Sequence, residues 1–269
     1  MKEKKLNSLV SDWQKYCNRN YTSATCELYN IVLAQFLKFL KKRPITPESI
    51  ESFIDFRLES GISKLAVNTN IIAIKSFCRW NMTHNNAENY AKNITQIKLA
   101  YKEARIISQS EYEVLLEVSL PHEKDIIEFI ANTGLRASEF NSLTWANISN
   151  DRKYLSIIGK GRKHRIIPLN NTTRTILDKY KPNGGKLQFV KNNRCALIYL
   201  CNKLRDKANI PSFGVHALRH YFATTLYKKG VSVQHISRLL GHSSVVITEK
   251  IYIHFIPQDL LGLTDCLEN

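Results

Sequence analysis

The chain has 269 residues, 43% of them hydrophobic, which is enough apolar material for one large or two ordinary globular domains. Its formal net charge of +16 favours a polyanionic partner, with nucleic acid ahead of a membrane surface, although an AT-rich genome also enriches lysine without any attached function. No run approaches the roughly 20 apolar residues that cross a bilayer, and no signal-peptide core follows the N-terminus, so we expect a soluble, cytoplasmic protein without a membrane partner.

The six cysteines show neither a CxxC pair nor an interleaved histidine spacing that would build a tetrahedral zinc site. We therefore interpret them as reduced or buried thiols and expect no metal centre. They stand at positions 17, 26, 78, 195, 201 and 266.

Residues 1–92 are predicted to form an all-helical domain, because their apolar residues recur at helical spacing and no strand signal interrupts them. Thr46 and Pro47 mark one helix start, and Gly61 marks the end of that helix. The preceding helix has a basic end that supplies candidate DNA contacts, namely Lys41, Lys42 and Arg43. A generic helical domain explains this half of the chain equally well.

Residues 93–107 are predicted to be a basic linker that contains two further candidate DNA contacts, Lys98 and Lys102. Ser108 and Glu111 then form the serine-x-x-glutamate pattern of a capped helix start, so we begin a second domain at residue 108 and extend it to 269. A basic connector suits a clamp that closes around DNA, and a solvated linker without contacts explains it equally well.

The second domain is predicted to be α+β with helices dominant, so the whole chain is mainly α with a small β-sheet. A helix runs through Ile126 and Ile130, and two short apolar runs at 154–158 and 165–169 flank a Gly-Lys-Gly turn, which is the pattern of a β-hairpin. Helical patterns resume near residue 172 and continue to residue 240.

Several reactive or phosphate-binding side chains occur in this domain, and each alone has an ordinary explanation. Arg136 could pair with Glu139 at the surface, Lys160 could be a solvated turn residue, and His242 could cap a helix end. His216 and His220 have a helical spacing that would suit a metal, but no third ligand accompanies them. Tyr252, one of 12 tyrosines, could by itself be an ordinary core or surface aromatic residue.

Taken together, these side chains match the needs of a phosphodiester transfer without metal or nucleotide cofactor. Arg136 and Arg219 can neutralise a pentavalent phosphate, and a lysine can protonate the departing 5′ oxygen. Tyr252 needs help to attack, because the phenol has an ordinary pKa of about 10. A covalent intermediate would retain the phosphodiester energy, so religation needs no cofactor.

Residues 108–256 resemble the catalytic domain of tyrosine recombinases, the family of phage integrases, Xer recombinases and Cre. Four segments carry the resemblance in the family's order: TGLRASE at 133–139, IGKGRKHRIIPL at 158–169, HALRH at 216–220, and LLGHSS at 239–244 followed by TEKIY at 248–252. The first two resemble the first arginine box and the lysine hairpin. The last two resemble the His-x-x-Arg box and the closing histidine with the nucleophile.

The resemblance implies a role for each matching side chain. Arg136, Arg219 and His242 would bind the scissile phosphate, while Lys160 would be the general acid. His216 would assist proton transfer, and Tyr252 would form a 3′-phosphotyrosyl link. Further residues would have supporting or DNA-binding roles: Glu139 and His220 would support the site, and Arg162 and Lys163 would contact DNA.

The resemblance also implies an assembly. The helical half would be the core-binding domain, and the enzyme would act as a homotetramer on two sites in double-stranded DNA, with or without an accessory protein, after existing as a monomer or weak dimer. Residues 256–269 would dock into a neighbouring protomer, although a leucine-bearing tail on its own core is equally plausible. Two alternatives to recombination are relaxation of DNA in the manner of a type IB topoisomerase and a non-catalytic DNA-binding clamp.

Overall fold

The structure is a computed structural model that describes residues 3–100, 105–159, 164–180, 187, 194–211, 213–242 and 244–252. Only the backbone is described for residues 3–7, 194–195, 247 and 250–252. The chain divides into two compact units, Met1–Tyr101 and Lys102–Asn269, and the division falls within the segment that the sequence analysis predicts to be a linker.

The first unit consists of helices over its described residues. These are α1 (Glu3–Asn20), α2 (Ser23–Leu40), α3 (Pro47–Glu59) and α4 (Lys64–Asn85). The hydroxyl oxygens of Thr22, Thr46 and Ser63 accept the amide hydrogens that the first turns of α2, α3 and α4 leave free. The predicted start at Thr46 and Pro47 is therefore confirmed, and Gly61 follows the end of α3 in the left-handed region, with φ of +77°.

Apolar packing of aromatic rings fills the core of this unit. Trp13 is fully buried, and its indole lies edge-on to Phe77 with the ring centroids 5.5 Å apart. Phe36 and Phe53 pack in the same core with their centroids 5.2 Å apart. These large side chains explain why helices α2, α3 and α4 pack together, since each contributes apolar residues to one buried cluster.

The first part of the predicted linker packs on this unit. Ile94 is buried in the core of the first unit, as is Ala91 just before the predicted linker. The side chain of Asn68 exchanges two hydrogen bonds with the backbone of Ile97, accepting from its amide at 2.7 Å and donating to its carbonyl at 2.9 Å. Residues 94–97 are therefore fixed to α4, which the basic composition of the segment did not indicate.

The second unit combines helices with one hairpin. Its elements are α5 (Gln109–Glu117), α6 (Pro121–Thr133), α7 (Ala137–Asn141), a 3-10 turn (Trp145–Asn147), β1 (Tyr154–Ile158), β2 (His164–Pro168), α8 (Asn171–Lys179), α9 (Arg194–Ala208), α10 (Val215–Lys228), α11 (Val233–Leu240) and α12 (Val245–Tyr252). The predicted hairpin is present, with β1 and β2 antiparallel and Ser156 opposite Ile166. Ser108 caps α5 together with Glu111, as its sequence pattern predicts. The mainly helical fold with a small sheet is confirmed.

Helix α6 is the centre of this unit. Ile127, Phe129 and Ile130 are completely buried, and the helix packs against α8 and α10. Two buried carboxylates near its start are paired, Glu123 with Lys203 of α9 and Asp125 with Lys179 of α8, each at 2.6 Å. Because an unpaired buried carboxylate is costly, these pairs fix α8 and α9 relative to α6.

None of the helices in the described part of the chain is both long and apolar enough to span a bilayer.

Candidate active site

The turn between α6 and α7 positions Arg136. Helix α6 ends at Gly134, and Arg136 is the residue that precedes α7. The carboxylate of Glu139 accepts from the Arg136 backbone amide and from its guanidinium Nη1, both at 2.8 Å. The pair that the sequence offered as an ordinary surface contact therefore exists, but Glu139 is only 8% exposed, so the pair belongs to the interior of the unit.

Helix α10 places Arg219 beneath the same turn. Arg219 is 5% exposed, and its guanidinium donates to the carbonyl oxygens of Gly134 and Leu240, both at 2.6 Å. His216 lies in the first turn of α10 and is exposed, whereas His220 is partly buried. Burial first, and then the charges of His216 and Arg219, lower the pKa of His220.

The carboxyl end of α11 is bound by three arginines that come from three different elements. Successive carbonyl oxygens accept from Arg165 of β2 (to Leu239, 2.8 Å), Arg219 of α10 (to Leu240, 2.6 Å) and Arg136 (to Gly241, 3.3 Å). The last carbonyls of a helix lack intrahelical partners and carry its negative partial charge, so they attract cations. The end of α11 thus gathers three guanidinium groups immediately before His242.

Two glycines make the close packing around these arginines possible. Gly134 and Gly241 both adopt the left-handed region, with φ of +62° and +65°. A Cβ atom on Gly134 would lie 2.5 Å from the ring of Phe222, and one on Gly241 would lie 2.9 Å from Cδ of Arg165. Glycine is therefore required at both positions for conformation and for space.

Glu139 is the one carboxylate that pairs with these guanidinium groups among the residues the structure describes. Arg165 donates to it from Nη1 at 2.9 Å and from Nη2 at 2.7 Å. Burial alone would raise the pKa of Glu139, but hydrogen bonds from Arg165 and from the Arg136 amide, together with the charge of Arg165, lower it to about 2. Counting the described side chains alone, three cations and one carboxylate give this cluster a net positive charge, which suits a phosphate.

His242 directly follows the end of α11 and is held by α12. Its Nδ1 lies 2.7 Å from the hydroxyl of Thr248, which is completely buried. Burial first, and then the charges of Arg219, Arg136, His220 and Arg165, lower the pKa of His242 to about 4. At neutral pH the ring is therefore uncharged, and it can act as a hydrogen-bonding group beside the arginines rather than as another cation.

Comparison with known proteins identifies the family of this chain. The sequence model of the phage integrase family matches residues 105–258, which is more than half of the chain. The chain belongs to the phage integrase family. It is a site-specific tyrosine recombinase, the class of enzyme that the sequence motifs predict.

A relative and two solved structures are similar to this chain over most of its length. The tyrosine recombinase XerD of Chlorobaculum tepidum is 29% identical over 268 residues, covering 88% of this chain and 87% of the relative. XerH bound to its difH substrate covers 97% of this chain and 84% of that chain, with a TM-score of 0.72 and 23% identity. A lambda integrase tetramer bound to a Holliday junction covers 91% and 76%, with a TM-score of 0.74 and 19% identity. The last two likenesses concern the fold.

Several of the predicted recombinase residues lie outside the described residues. Lys160, Arg162 and Lys163 belong to residues 160–163, between β1 and β2 in the sequence, and Lys102 belongs to residues 101–104. The backbone of Tyr252 ends α12, but its side chain is not among those described, nor are residues 256–269. The structure therefore brings together Arg136, Glu139, Arg219 and His242, with His216 and His220 on the same helix as Arg219.

The candidate DNA contacts of the first unit differ in their surroundings. Lys41 and Lys42 follow α2 with positive φ values of 47° and 74°, and both are exposed. Arg43 is exposed too, but it donates to the carbonyls of Leu40 and Phe39 at 3.1 and 3.2 Å, so it caps the end of α2. Lys98 is exposed beyond the segment that Asn68 fixes.

Sequence reasoning missed two members of the cluster, Arg165 and Thr248. Arg165 has a weak signal, because a charged residue two positions before Ile167 shares its buried strand face. Thr248 has none, since the predicted helical patterns end at residue 240 and a threonine by itself is not distinctive. No group of three or more histidine, cysteine, aspartate or glutamate side chains that could hold a metal occurs among the described residues.

Proposed function

We propose that this recombinase exchanges DNA strands by metal-independent transesterification, with Tyr252 as the nucleophile and with Arg136, Arg219 and His242 holding the scissile phosphate. The observation that carries the proposal is the convergence of these three side chains on residues 240–242. Arg136 and Arg219 bind the carbonyls of Gly241 and Leu240, and His242 is the next residue along the chain. Forked guanidinium donors suit the oxygens of a pentavalent phosphate.

The proposed reaction exchanges one phosphoester bond for another. The phenol oxygen of Tyr252 attacks phosphorus while the bond from phosphorus to the 5′ oxygen breaks, which leaves a 3′-phosphotyrosyl link and a free 5′ hydroxyl. The tyrosine proton goes to His216 or to water, and the departing oxygen takes a proton from Lys160. Attack by a 5′ hydroxyl of another strand reverses these steps and rejoins the DNA, so no nucleotide cofactor is consumed.

The neutral state of His242 fits a hydrogen-bonding role in this reaction. With a pKa of about 4, its ring is uncharged at neutral pH, and Thr248 occupies Nδ1. In the tautomer in which Thr248 donates to Nδ1, Nε2 has the proton and can donate it to a phosphate oxygen. The two arginines then supply the positive charge that neutralises the phosphate, and the histidine supplies a directional hydrogen bond.

The proposed substrate is a pair of specific sites in double-stranded DNA, bound by a homotetramer. The net charge of +16 supports a polyanionic substrate. XerH has been captured on its difH substrate and lambda integrase as a tetramer on a Holliday junction, and the likeness of fold makes the same assembly our proposal for this chain.

The first test is capture of the covalent intermediate with Tyr252→Phe. Wild-type protein is incubated with fragmented DNA from the source organism and denatured in detergent, and the DNA that remains attached is sequenced. We expect wild type to enrich one sequence and Tyr252→Phe to enrich none while binding DNA with unchanged affinity. Tyr199→Phe is the matched control, because Tyr199 is 71% exposed on α9 and takes no part in the proposed chemistry.

Mass spectrometry assigns the attachment site directly. Trypsin cleaves after Lys250, and the peptide that begins at Ile251 contains Tyr252 as its single tyrosine through residue 269. A nucleotide remnant on that peptide supports the proposal. Adducts formed by Tyr252→Phe, or a remnant on another tyrosine, would show that the nucleophile is wrong. DNA binding without any adduct would favour a non-catalytic clamp.

A further inference from the structure

Arg165 is a buried arginine at the centre of the site for which the sequence motifs assign no role. It lies in β2, and its side chain is 6% exposed. All three guanidinium nitrogens donate: Nη1 and Nη2 to the two oxygens of Glu139, at 2.9 and 2.7 Å, and Nε to the carbonyl of Leu239, at 2.8 Å. One planar group therefore connects Glu139 of α7 with the end of α11.

The partners of Arg165 are the groups that hold the proposed phosphate ligands. Glu139 also binds both the amide and the guanidinium of Arg136. Leu239 starts the run of three bonded carbonyls that ends just before His242, and the Arg165 stem fills the space beside Gly241 where a Cβ would lie. Moving Arg165 would therefore displace Arg136 on one side and His242 on the other.

Burial strengthens the ion pair between Arg165 and Glu139, and its bidentate geometry makes the pair directional. The side chains of Arg165 and Glu139 are 6% and 8% exposed, so water cannot replace either partner. A bidentate pair fixes the planes of both groups, whereas a lysine would provide a point charge without the fork. By contrast, the side chain of Arg136 is 31% exposed, which leaves it accessible to a ligand while Glu139 restrains it.

We propose that Arg165 is a positioning residue of this recombinase, which joins Glu139 to the end of α11 and so sets the distance between Arg136 and His242. The inference rests on the proposed function, since it concerns the two sides of the same phosphate site. Arg165 itself need not touch DNA, and its effect on the reaction passes through Glu139 and the Leu239 carbonyl.

Two substitutions distinguish the contribution of the bidentate guanidinium geometry of Arg165 from that of its positive charge. Arg165→Lys keeps a cation beside Glu139 and is expected to fold, but it cannot reach both carboxylate oxygens and Leu239 together. Arg165→Gln removes the charge as well. Arg205→Gln is the control, because Arg205 lies on α9 and pairs at the surface with Asp206.

The first readout is the rate of detergent-stable adduct formation on the DNA fragment that wild type captures, at saturating protein. We expect Arg165→Lys and Arg165→Gln to slow this rate by about 10- to 100-fold per folded molecule, as misplaced reacting groups do, with little change in DNA affinity. Arg205→Gln is expected to match wild type. A purely structural role would reduce the folded fraction and leave the rate per folded molecule unchanged.

The second readout needs no DNA and follows the His242 ring by NMR as pH is varied. The pKa of this ring is depressed by burial and by Arg219, Arg136, His220 and Arg165, so Arg165→Gln should raise it, and Arg165→Lys should leave it low. If wild type forms no adduct, the proposed reaction is wrong, and this titration still tests whether Arg165 acts on His242. Wild-type adduct rates in Arg165→Lys, or an unshifted pKa in Arg165→Gln, would overturn the inference.

Discussion

The two units differ in the polar side chains that they bury. Among the described residues, the first unit buries only two polar side chains, Asn68 and Asn70, around a core of rings and aliphatic groups. The second unit buries five charged side chains, namely Glu123, Asp125, Glu139, Arg165 and Arg219. Because a buried charge is costly unless it is paired, the second unit tolerates them only through specific partners.

This difference indicates that apolar packing determines the fold of the first unit, whereas paired buried charges determine the geometry of the cluster in the second unit. In the first unit, any well-packed apolar set would give the same helices, and its sequence therefore says little about function. In the second unit, removing one partner leaves another charge buried and unpaired. A substitution there should consequently reduce both stability and the order of the proposed phosphate site. A substitution in the first unit should reduce stability alone.

The largest effect is expected from Glu139→Ala. It leaves the Arg165 guanidinium buried without its carboxylate, so we expect the second unit to lose about 3–5 kcal/mol of unfolding free energy. Covalent capture of DNA should be lost as well, because Arg136 loses its restraint. Hydrogen exchange resolved by peptide measures the two units separately.

Glu51→Ala is the control for that experiment, since Glu51 is exposed on α3 of the first unit. It should change stability by no more than about 0.5 kcal/mol. If Glu139→Ala instead left the exchange of β1, β2 and α11 unchanged, the paired charges would not stabilise the second unit, and the contrast between the units would be lost.

A second contrast between the units is expected as pH falls, because the groups at the site whose pKa values are lowered, Glu139, His220 and His242, all lie in the second unit. The pKa of His242 is about 4 in the folded protein and about 6.5 in the unfolded chain, so protons bind the unfolded state first. Stability is then full above about pH 6.5 and falls until about pH 4. For Glu139, the same sign applies between about pH 4.5 and about pH 2.

We therefore expect hydrogen exchange in α10, α11 and β2 to accelerate between pH 6.5 and 4, after correction for the intrinsic pH dependence of exchange, while α2 and α4 change little. His242→Gln should remove this part of the slope, because it removes the titrating ring. A slope that persists unchanged in His242→Gln would assign it to other groups and contradict the low pKa of the histidine.

Much of the fold could be predicted from local sequence signals. Thr46 and Ser108 cap helices where their patterns indicate, and the two apolar runs around the Gly-Lys-Gly turn form β1 and β2. The attachment of residues 94–97 to α4 could not, because it depends on a bond between Asn68 and the backbone of Ile97, 29 residues away. Spacing along the chain contains no information on such a contact.

The site shows the same division. Arg136, Arg219 and His242 could be selected because their motifs occur in order, and the structure gathers them around one helix end. The group that joins them has only a weak signal, because Ile166 and Ile167 are both apolar and obscure the alternation that would reveal Arg165 as inward-facing. Its partner at Leu239 is a backbone carbonyl, which every residue has.

The smallest effect is expected from Phe77→Leu in the first unit. Phe77 is 1% exposed and packs edge-on against Trp13, so the smaller side chain should cost about 1–2 kcal/mol through lost ring contacts. Exchange in α2 and α4 should accelerate, while β2 and α11 stay protected and the adduct rate at saturating DNA is unchanged. Leu65→Ala, at a side chain 66% exposed, is the control on the same helix. If Phe77→Leu slowed the covalent step of folded protein, packing in the first unit would contribute to the chemistry, and the separation of shape from catalysis would not hold.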